Sequence, residues 1–396
     1  MPLFIRMLVR RWLGPTAAAL VGMAALMPTA FAATAGALDL SANYMADVVA
    51  VIDGPDRGTR YVDMLTISAG LDLEKAAGWN GASIQTAVQA GIGAQPNVLA
   101  GTLEGINNSE VTLNRLRLFE AYLEQEIPAL RLTAKVGFID LNDDFYASDA
   151  AGLLIAPPFG IGSELAATGP AGPSIFPSTA PTFALRFATG EGGYVQFAAI
   201  NAAAGTFGDP GGPKPLLREG ALLIAEAGLT RRGKLAIGAW TYTKPQDDLR
   251  EIDLDGAPRR RQAHGAYLLI EQPLGSDKLT GFLRAGISDG NTGTFAGAWQ
   301  AGVLLSSFLP SRPKARLSMG LHQGFLSPKF RANEADAGQP RRPVESGWEV
   351  TYEDQLAPWL LIQPDFQFVR TTDRLPGSRD AVVAGLRVTF SAPGGE

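Results

Sequence analysis

From residue 37 onward, apolar and polar positions alternate with a period of two, in short runs separated by Gly, Pro, Asn and Asp. The pattern predicts sixteen strands, over 37–54, 61–75, 81–93, 111–127, 130–141, 181–190, 193–202, 219–232, 233–244, 262–273, 278–289, 294–308, 313–325, 346–357, 359–371 and 380–390. No run carries a convincing helical period. Residues 81–93 place Ile84, Val88, Ala90 and Ile92 on one face against Ser83, Gln85 and Gln89, and the last run alternates Val382, Ala384, Leu386, Val388 and Phe390 with Gly385, Arg387 and Thr389. Loop length alternates as well. The long connections, 94–110, 142–180, 203–218, 245–261 and 326–345, all follow odd-numbered strands, while those after even-numbered strands are tight. A β-sandwich has no reason to segregate its loops this way. A closed up-and-down barrel in a membrane does, with short turns at one rim and long loops at the other.

The longest connection draws attention to the strand before it. Leu132, Ala134, Val136 and Phe138 share one face of that strand, and Arg131, Thr133 and Lys135 share the other. Behind it runs an acidic start, Asp140-Leu-Asn-Asp-Asp-Phe-Tyr-Ala-Ser-Asp149, then a Pro- and Gly-rich stretch to about residue 180. A connection of that length in a compact fold is expected to be functional. The expectation is a loop folded into the barrel, narrowing it and setting carboxylates (Asp140, Asp143, Asp144) opposite Arg131 and Lys135.

Charge and composition narrow the class. Residues 1–32 read as a cleaved secretory signal: Arg6, Arg10 and Arg11, an apolar run from Leu13 to Met27, then Ala30-Phe31-Ala32 as a small-x-small cleavage site. Residues 33–396 then form one domain. Without those three arginines the chain carries 31 basic against 39 acidic residues, a formal charge of −8, which argues against a nucleic-acid partner. There is no cysteine, so thiolate catalysis, cysteine-based metal sites and disulfides are excluded together. Beyond the signal no segment approaches 18 uninterrupted apolar residues, which leaves a periplasmic protein, a secreted protein or an outer-membrane barrel.

With the strands placed, several runs resemble the carbohydrate-selective outer-membrane porins, the OprB-like family of sixteen-stranded barrels. They are Asp72-Leu-Glu-Lys-Ala-Ala-Gly-Trp79-Asn-Gly81, Arg117-Leu-Phe-Glu120-Ala-Tyr122-Leu-Glu124-Gln125, Val136-Gly-Phe-Ile-Asp140 with Asp144-Phe-Tyr146-Ala-Ser-Asp149, and Pro158-Phe-Gly160. Near the end come Glu349-Val-Thr-Tyr352 and Pro358-Trp-Leu-Leu-Ile-Gln363-Pro364-Asp365-Phe-Gln367. Two departures stand out: Gly137-Phe138 where the family pattern has Gly-Gln, and a tail, Ser391 to Glu396, running past the Phe390 that would ordinarily end such a chain. The resemblance implies passive diffusion of small sugars such as glucose into the periplasm. It also implies contact with outer-membrane lipid and lipopolysaccharide, dependence on the barrel-assembly machinery, and work as a single barrel or a homotrimer. It implies no cofactor and no enzyme.

Alternation assigns the lumen. Glu120, Tyr122 and Glu124 point inward with Phe119, Ala121 and Leu123 outward; Gln363, Asp365 and Gln367 point inward with Ile362, Phe366 and Phe368 outward. Arg284, Arg316, Arg387, Trp240 and Tyr242 also fall on inward faces, and Arg115 and Arg117 near the outer rim, where lipopolysaccharide phosphates or loop carboxylates would meet them. Sugar hydroxyls need donors and acceptors together, and an aromatic face can lie against a pyranose ring. The bland reading of the same residues is a charged ladder whose members satisfy one another and hold the wall in shape. Trp348, Tyr352, Trp359 and Phe390 read as an interfacial aromatic girdle. His264 and His322 are the only histidines, and no G-x-S-x-G, phosphate loop or dinucleotide fingerprint is present. Asp253-Leu-Asp255-Gly256 lacks the rest of a calcium loop and reads as a solvated surface loop. Open alternatives are a porin for another solute, an outer-membrane hydrolase and a soluble secreted β-protein.

Overall fold

The computed structural model describes residues 36–392. The signal 1–32 and the last four residues of the tail lie outside them. Eighteen strands follow one another: β1 (Leu38–Asp53), β2 (Gly58–Asp72), β3 (Ala82–Gly93), β4 (Arg115–Ile127), β5 (Leu132–Ile139), β6 (Ala180–Gly190), β7 (Gly193–Asn201), β8 (Ala221–Thr230), β9 (Lys234–Tyr242), β10 (Gln246–Ile252), β11 (Pro258–Arg261), β12 (His264–Pro273), β13 (Leu279–Ser288), β14 (Phe295–Ser306), β15 (Arg316–Leu326), β16 (Val344–Ala357), β17 (Leu360–Arg370) and β18 (Ala381–Ala392). Sixteen of them close into one antiparallel barrel in which each strand pairs with its neighbours in the chain and β18 pairs with β1. The remaining pair, β10 and β11, forms a separate hairpin in the connection between β9 and β12. Closure leaves no unpaired edge, the condition for a sheet to sit in lipid.

The alternation read from the sequence is the alternation of the wall. Large apolar side chains such as Val48, Leu116, Val136, Ile237, Leu283 and Met319 are exposed on its outside, while their strand neighbours turn polar or small groups inward. Leu386 and Phe390 lie on the same outer wall, and the Phe390 ring stacks between Tyr44 and Trp359 at 6.5 and 6.1 Å. β1 begins and β18 ends at the rim with the tight turns, the periplasmic rim of such a barrel.

Four local expectations change. The 73–77 segment is a short helix rather than the end of a strand, with Asp72 capping it through Lys75 N (3.0 Å). Helical turns also occupy Pro96–Ala100, Leu141–Asp144 and Ser163–Ala166, and a two-turn helix spans Pro328–Asp336, all within connections. The connection 245–261, placed as loop, contains the β10–β11 hairpin, with Asp253–Gly256 as its exposed tip. On β4 the register steps from Ala87 opposite Glu120 to Val88 opposite Leu118, so Phe119 is the extra residue of a β-bulge. That extra residue turns Phe119 inward, where it is buried against Phe176 with ring centroids 6.2 Å apart.

Arg131 is displaced more seriously. Pro128–Leu130 form a single 3₁₀ turn after β4, and Arg131 terminates it in the left-handed conformation at φ 51°, exposed at the periplasmic rim. It stands before β5, not on its inner face, and at the opposite end of that strand from Asp140. A proline at the first position of the turn and the tight reversal behind it dictate this geometry.

Candidate functional site

Residues 140–179 enter the barrel from the top of β5. Asp140 caps the turn Leu141–Asp144 by accepting from Asn142 N at 2.8 Å, and its own N–H donates to Glu120 on β4 at 3.1 Å. Lys135, on the inner face of β5, then reaches both oxygens of Asp144 at 2.9 Å and lies 3.7 Å from Glu124, its cross-strand partner. The ammonium sits 5.5 Å from the centre of the Tyr122 ring. One cation thus joins a wall carboxylate, a loop carboxylate and an aromatic face. The pairing of Lys135 with the acidic loop is as expected, and Arg131 takes no part.

Beyond Asp144 the loop crosses to the far wall, and the wall holds it by its backbone. Glu226 on β8 accepts from Tyr146 N (3.0 Å), Glu271 on β12 from Ala150 N (3.1 Å) and from the Ser148 hydroxyl, and Glu349 on β16 from Ile155 N and Ala156 N (2.9 Å to the latter). Arg284 on β13 donates to the carbonyls of Gly160 (2.7 Å) and Pro158 (2.6 Å), and Gln363 on β17 to that of Leu153 (2.7 Å). Each buried bond of this kind contributes on the order of 1 kcal/mol. Apolar packing adds to them: Tyr146 stacks on Tyr267 at 4.0 Å, and Phe159 meets Phe282 edge-on at 6.2 Å. Trp240 and Tyr242 belong to the same apolar cluster as Tyr146 and Tyr267.

A second connection is tied in beside the first. Glu345 on β16 accepts from Leu103 N (2.9 Å) and Glu104 N (2.8 Å), and Gln367 donates to the carbonyl of Ile106 (2.9 Å). Glu104 in turn accepts from Ser163 of the long loop and shares a bond with His322 Nδ1 at 2.8 Å. Asn107 donates to Asp47 (2.7 Å), which also holds Arg387 through two bonds of 2.8 and 2.7 Å.

Two spaces in the lumen flank the turn Leu141–Asp144. An outer one of about 450 Å³ is lined by Asn97, Asn107, Asn108, Glu110, Asp140 and Asn142, with Phe176 and Phe295 among its apolar members. An inner one of about 160 Å³ is lined by Glu124, Lys135, Asp144, Arg186 and Gln196. The turn Leu141–Asp144 stands between them, with Asp140 and Asn142 on the outer side and Asp144 on the inner.

The predicted lining residues therefore divide. Glu120, Tyr122, Glu124, Lys135, Asp140, Asp143 and Asp144 are brought together at this waist, half-buried or exposed. Arg117, Arg284, Gln363, Asp365 and Gln367 are buried within the wall-to-loop contacts. Arg117 lies 4.8 Å from the Phe176 ring centre and bonds to Gln89 at 3.3 Å, while Arg115 pairs with a loop carboxylate, Asp209, at 3.3 Å. The alternation pattern did not single out Glu226, Glu271, Glu345 and Glu349 or the amides Asn97, Asn107, Asn108 and Asn142. A signal for the first group existed: Glu226 and Glu271 are isolated charges in otherwise apolar strands. Among the described residues no group of His, Asp and Glu has the arrangement of a metal site.

Residues 56–391 match the family model described as carbohydrate-selective porin, OprB family. The chain belongs to the OprB family. Porin B of Pseudomonas aeruginosa is 21% identical across 88% of this chain and 86% of its own length. The structure titled high pH structure of Pseudomonas putida OprB superposes with a TM-score of 0.78 at 19% identity, covering 90% of this chain and 94% of that one. The outer-membrane channel DcaP of Acinetobacter baumannii shares the fold more loosely, with a TM-score of 0.57 at 12% identity over 90% and 97% of the two chains. As an OprB-family porin the chain is a channel of the bacterial outer membrane and not an enzyme, which removes the hydrolase and soluble alternatives.

Proposed function

We propose that this porin passes small neutral sugars, monosaccharides such as glucose, by diffusion through the waist between the outer and inner spaces that flank the turn Leu141–Asp144. The observation that carries the reading is Lys135, held at once by Asp144 and Glu124 above the face of Tyr122. A sugar edge presented there meets a donor, several acceptors and a ring within one turn of itself, the mixture hydroxyls require. The contacts are few, so binding stays weak enough for release, as conduction demands. The asparagines of the outer space add neutral amides on the approach. Porin B and OprB, the relatives named above, and the family's carbohydrate selectivity support sugar as the solute.

The test is single-channel conductance of the refolded protein in planar bilayers, titrated with glucose and with an uncharged non-sugar solute of similar size. Saturable block by glucose alone is the expected result. Channels indifferent to both would assign the same barrel to another solute.

A further inference from the structure

The outer space, at about 450 Å³, has the size of a small-molecule site and the mixed lining of one. Leu103, Ile161 and Phe295 give it apolar walls, and the half-buried Phe176 ring lines it with the Arg117 guanidinium 4.8 Å from the ring centre. The hydrogen bonds already made decide what its polar members have left to offer. Asn97 Oδ1 accepts from Ile106 N (2.8 Å) and Asn107 N (3.1 Å), and Asn108 Oδ1 accepts from Arg387 (2.9 Å) and the Ser109 hydroxyl (3.2 Å). With both oxygens taken, these two amides offer their NH2 groups, as donors. Asn142 is the reverse: its Nδ2 donates to the Phe145 carbonyl at 3.3 Å, which leaves its oxygen as an acceptor. The Glu110 carboxylate takes one bond, from Asn97 N at 2.7 Å, and that of Asp140 one, from Asn142 N at 2.8 Å, so each keeps an oxygen without a protein donor among the described residues.

What the lining lacks is a cation. Glu104, Glu110 and Asp140 belong to it, and no Lys, Arg or His does. Glu104 is committed to His322 and Ser163. Cations of the adjoining strands are taken as well: Arg115 pairs with Asp209, Lys135 with Asp144 and Arg387 with Asp47. Among the described residues neither Glu110 nor Asp140 has an ion pair, and both are half-buried. The inner space differs, since Lys135 stands among its carboxylates. Half-buried carboxylates without a counter-charge favour a ligand that brings one. An ammonium has three donors and no acceptor, which suits the free oxygens of Glu110, Asp140 and Asn142, and the NH2 groups of Asn97 and Asn108 remain for hydroxyls.

We propose that the outer space binds protonated amino sugars, hexosamines such as glucosamine, with the ammonium taken by Glu110 and Asp140 and the hydroxyls by Asn97 and Asn108. The inference extends the sugar reading to a charged class, and the two fail separately: block by glucose reports the waist, and the excess block by glucosamine reports this site.

Glucosamine, glucose, N-acetylglucosamine and ethanolamine would each be titrated against single channels of the refolded protein in planar bilayers, at neutral pH and low salt. N-Acetylglucosamine has the ring without the charge, and ethanolamine the charge without the ring. Glucosamine should half-block at a concentration at least several-fold below each of the other three, and the margin should shrink as salt rises. Glu110→Gln, which keeps an acceptor for Asn97 N, should cut that margin several-fold and leave block by glucose unchanged. Asp140→Asn, which keeps an acceptor for Asn142 N, should cut it as well, and heat-modifiable gel migration would verify that both variants fold. Equal block by glucosamine and glucose, equal block by glucosamine and ethanolamine, or an unchanged margin in the two folded variants would overturn the proposal. Block by glucosamine with none by glucose would uphold it and remove the waist reading.

Discussion

Lys135 is the residue on which the waist turns, since it bonds to Asp144 and lies beside Glu124 there. Lys135→Gln should leave the barrel intact and raise its preference for cations over anions, read as a shift of reversal potential in a salt gradient; an unchanged potential would place the ion path elsewhere. Glu349 has a different task. It faces two backbone N–H groups in a dry environment, so Glu349→Leu should weaken loop docking by on the order of 2–4 kcal/mol and appear as noisier, larger conductance, whereas Glu349→Gln, which keeps an acceptor, should recover part of the quiet channel. Gly137 sits at φ 145° where a Cβ would come within 2.1 Å of the Ala121 carbonyl oxygen. Gly137→Val should therefore impair assembly, seen as loss of the heat-resistant folded band. The Phe138 that follows it departs from the family's expected glutamine and turns outward onto Phe207, with ring centroids 5.9 Å apart, so the departure costs the lumen nothing.

Among the elements, the long loop and the outer hairpin behave differently. Residues 140–179 are bound along much of their course, so shortening them should widen the waist and raise conductance substantially; equal conductance would place the loop outside the conducting path. The β10–β11 hairpin is held to the helix Pro328–Asp336 mainly by ions. Lys329 bridges Asp248 and Glu251, at 2.6 Å from the latter, and Arg250 reaches Asp336 at 2.6 Å. Burial pushes the Asp248 carboxyl up, but the N–H of Glu251, the Lys329 ammonium and the N–H of Arg250 outweigh it and bring it to about 2. A carboxyl lowered in the folded state contributes stability above its ordinary value of 3.8 and loses it as pH falls toward 2. Protection against hydrogen exchange, taken relative to the intrinsic rate at each pH, should therefore hold at the hairpin at neutral pH and fall between about pH 4 and pH 2, with the protection of the barrel amides unchanged. The hairpin itself was not legible in advance: its strands are short and charged on both faces, so no alternation marks them. The bulge at Phe119 was hidden for a related reason, because one inserted residue reverses the apparent face of its neighbours without altering composition.

For the molecule as a whole, the barrel could be read from the sequence because every strand must show lipid one face and the lumen the other. That constraint repeats sixteen times. The lumen was legible only in part. Lys135, Glu124, Asp140 and Asp144 stood out because acids and a base adjoin a long connection, but Arg284, Gln363 and Gln367 proved to face loop carbonyls, and nothing in their own strands distinguishes a residue that meets solute from one that meets backbone. Arg131 was lost to turn geometry, not to chemistry. The wall acids carry a last consequence. Glu226, Glu271, Glu345 and Glu349 bind amide protons, which every residue but proline supplies, so they hold the path of the inserted segments and are indifferent to most of the side chains those segments bear. The lining can thus be exchanged while its mounting stays in place, and segments of matched length from other channels should be transplantable into this frame, a new filter in an old housing.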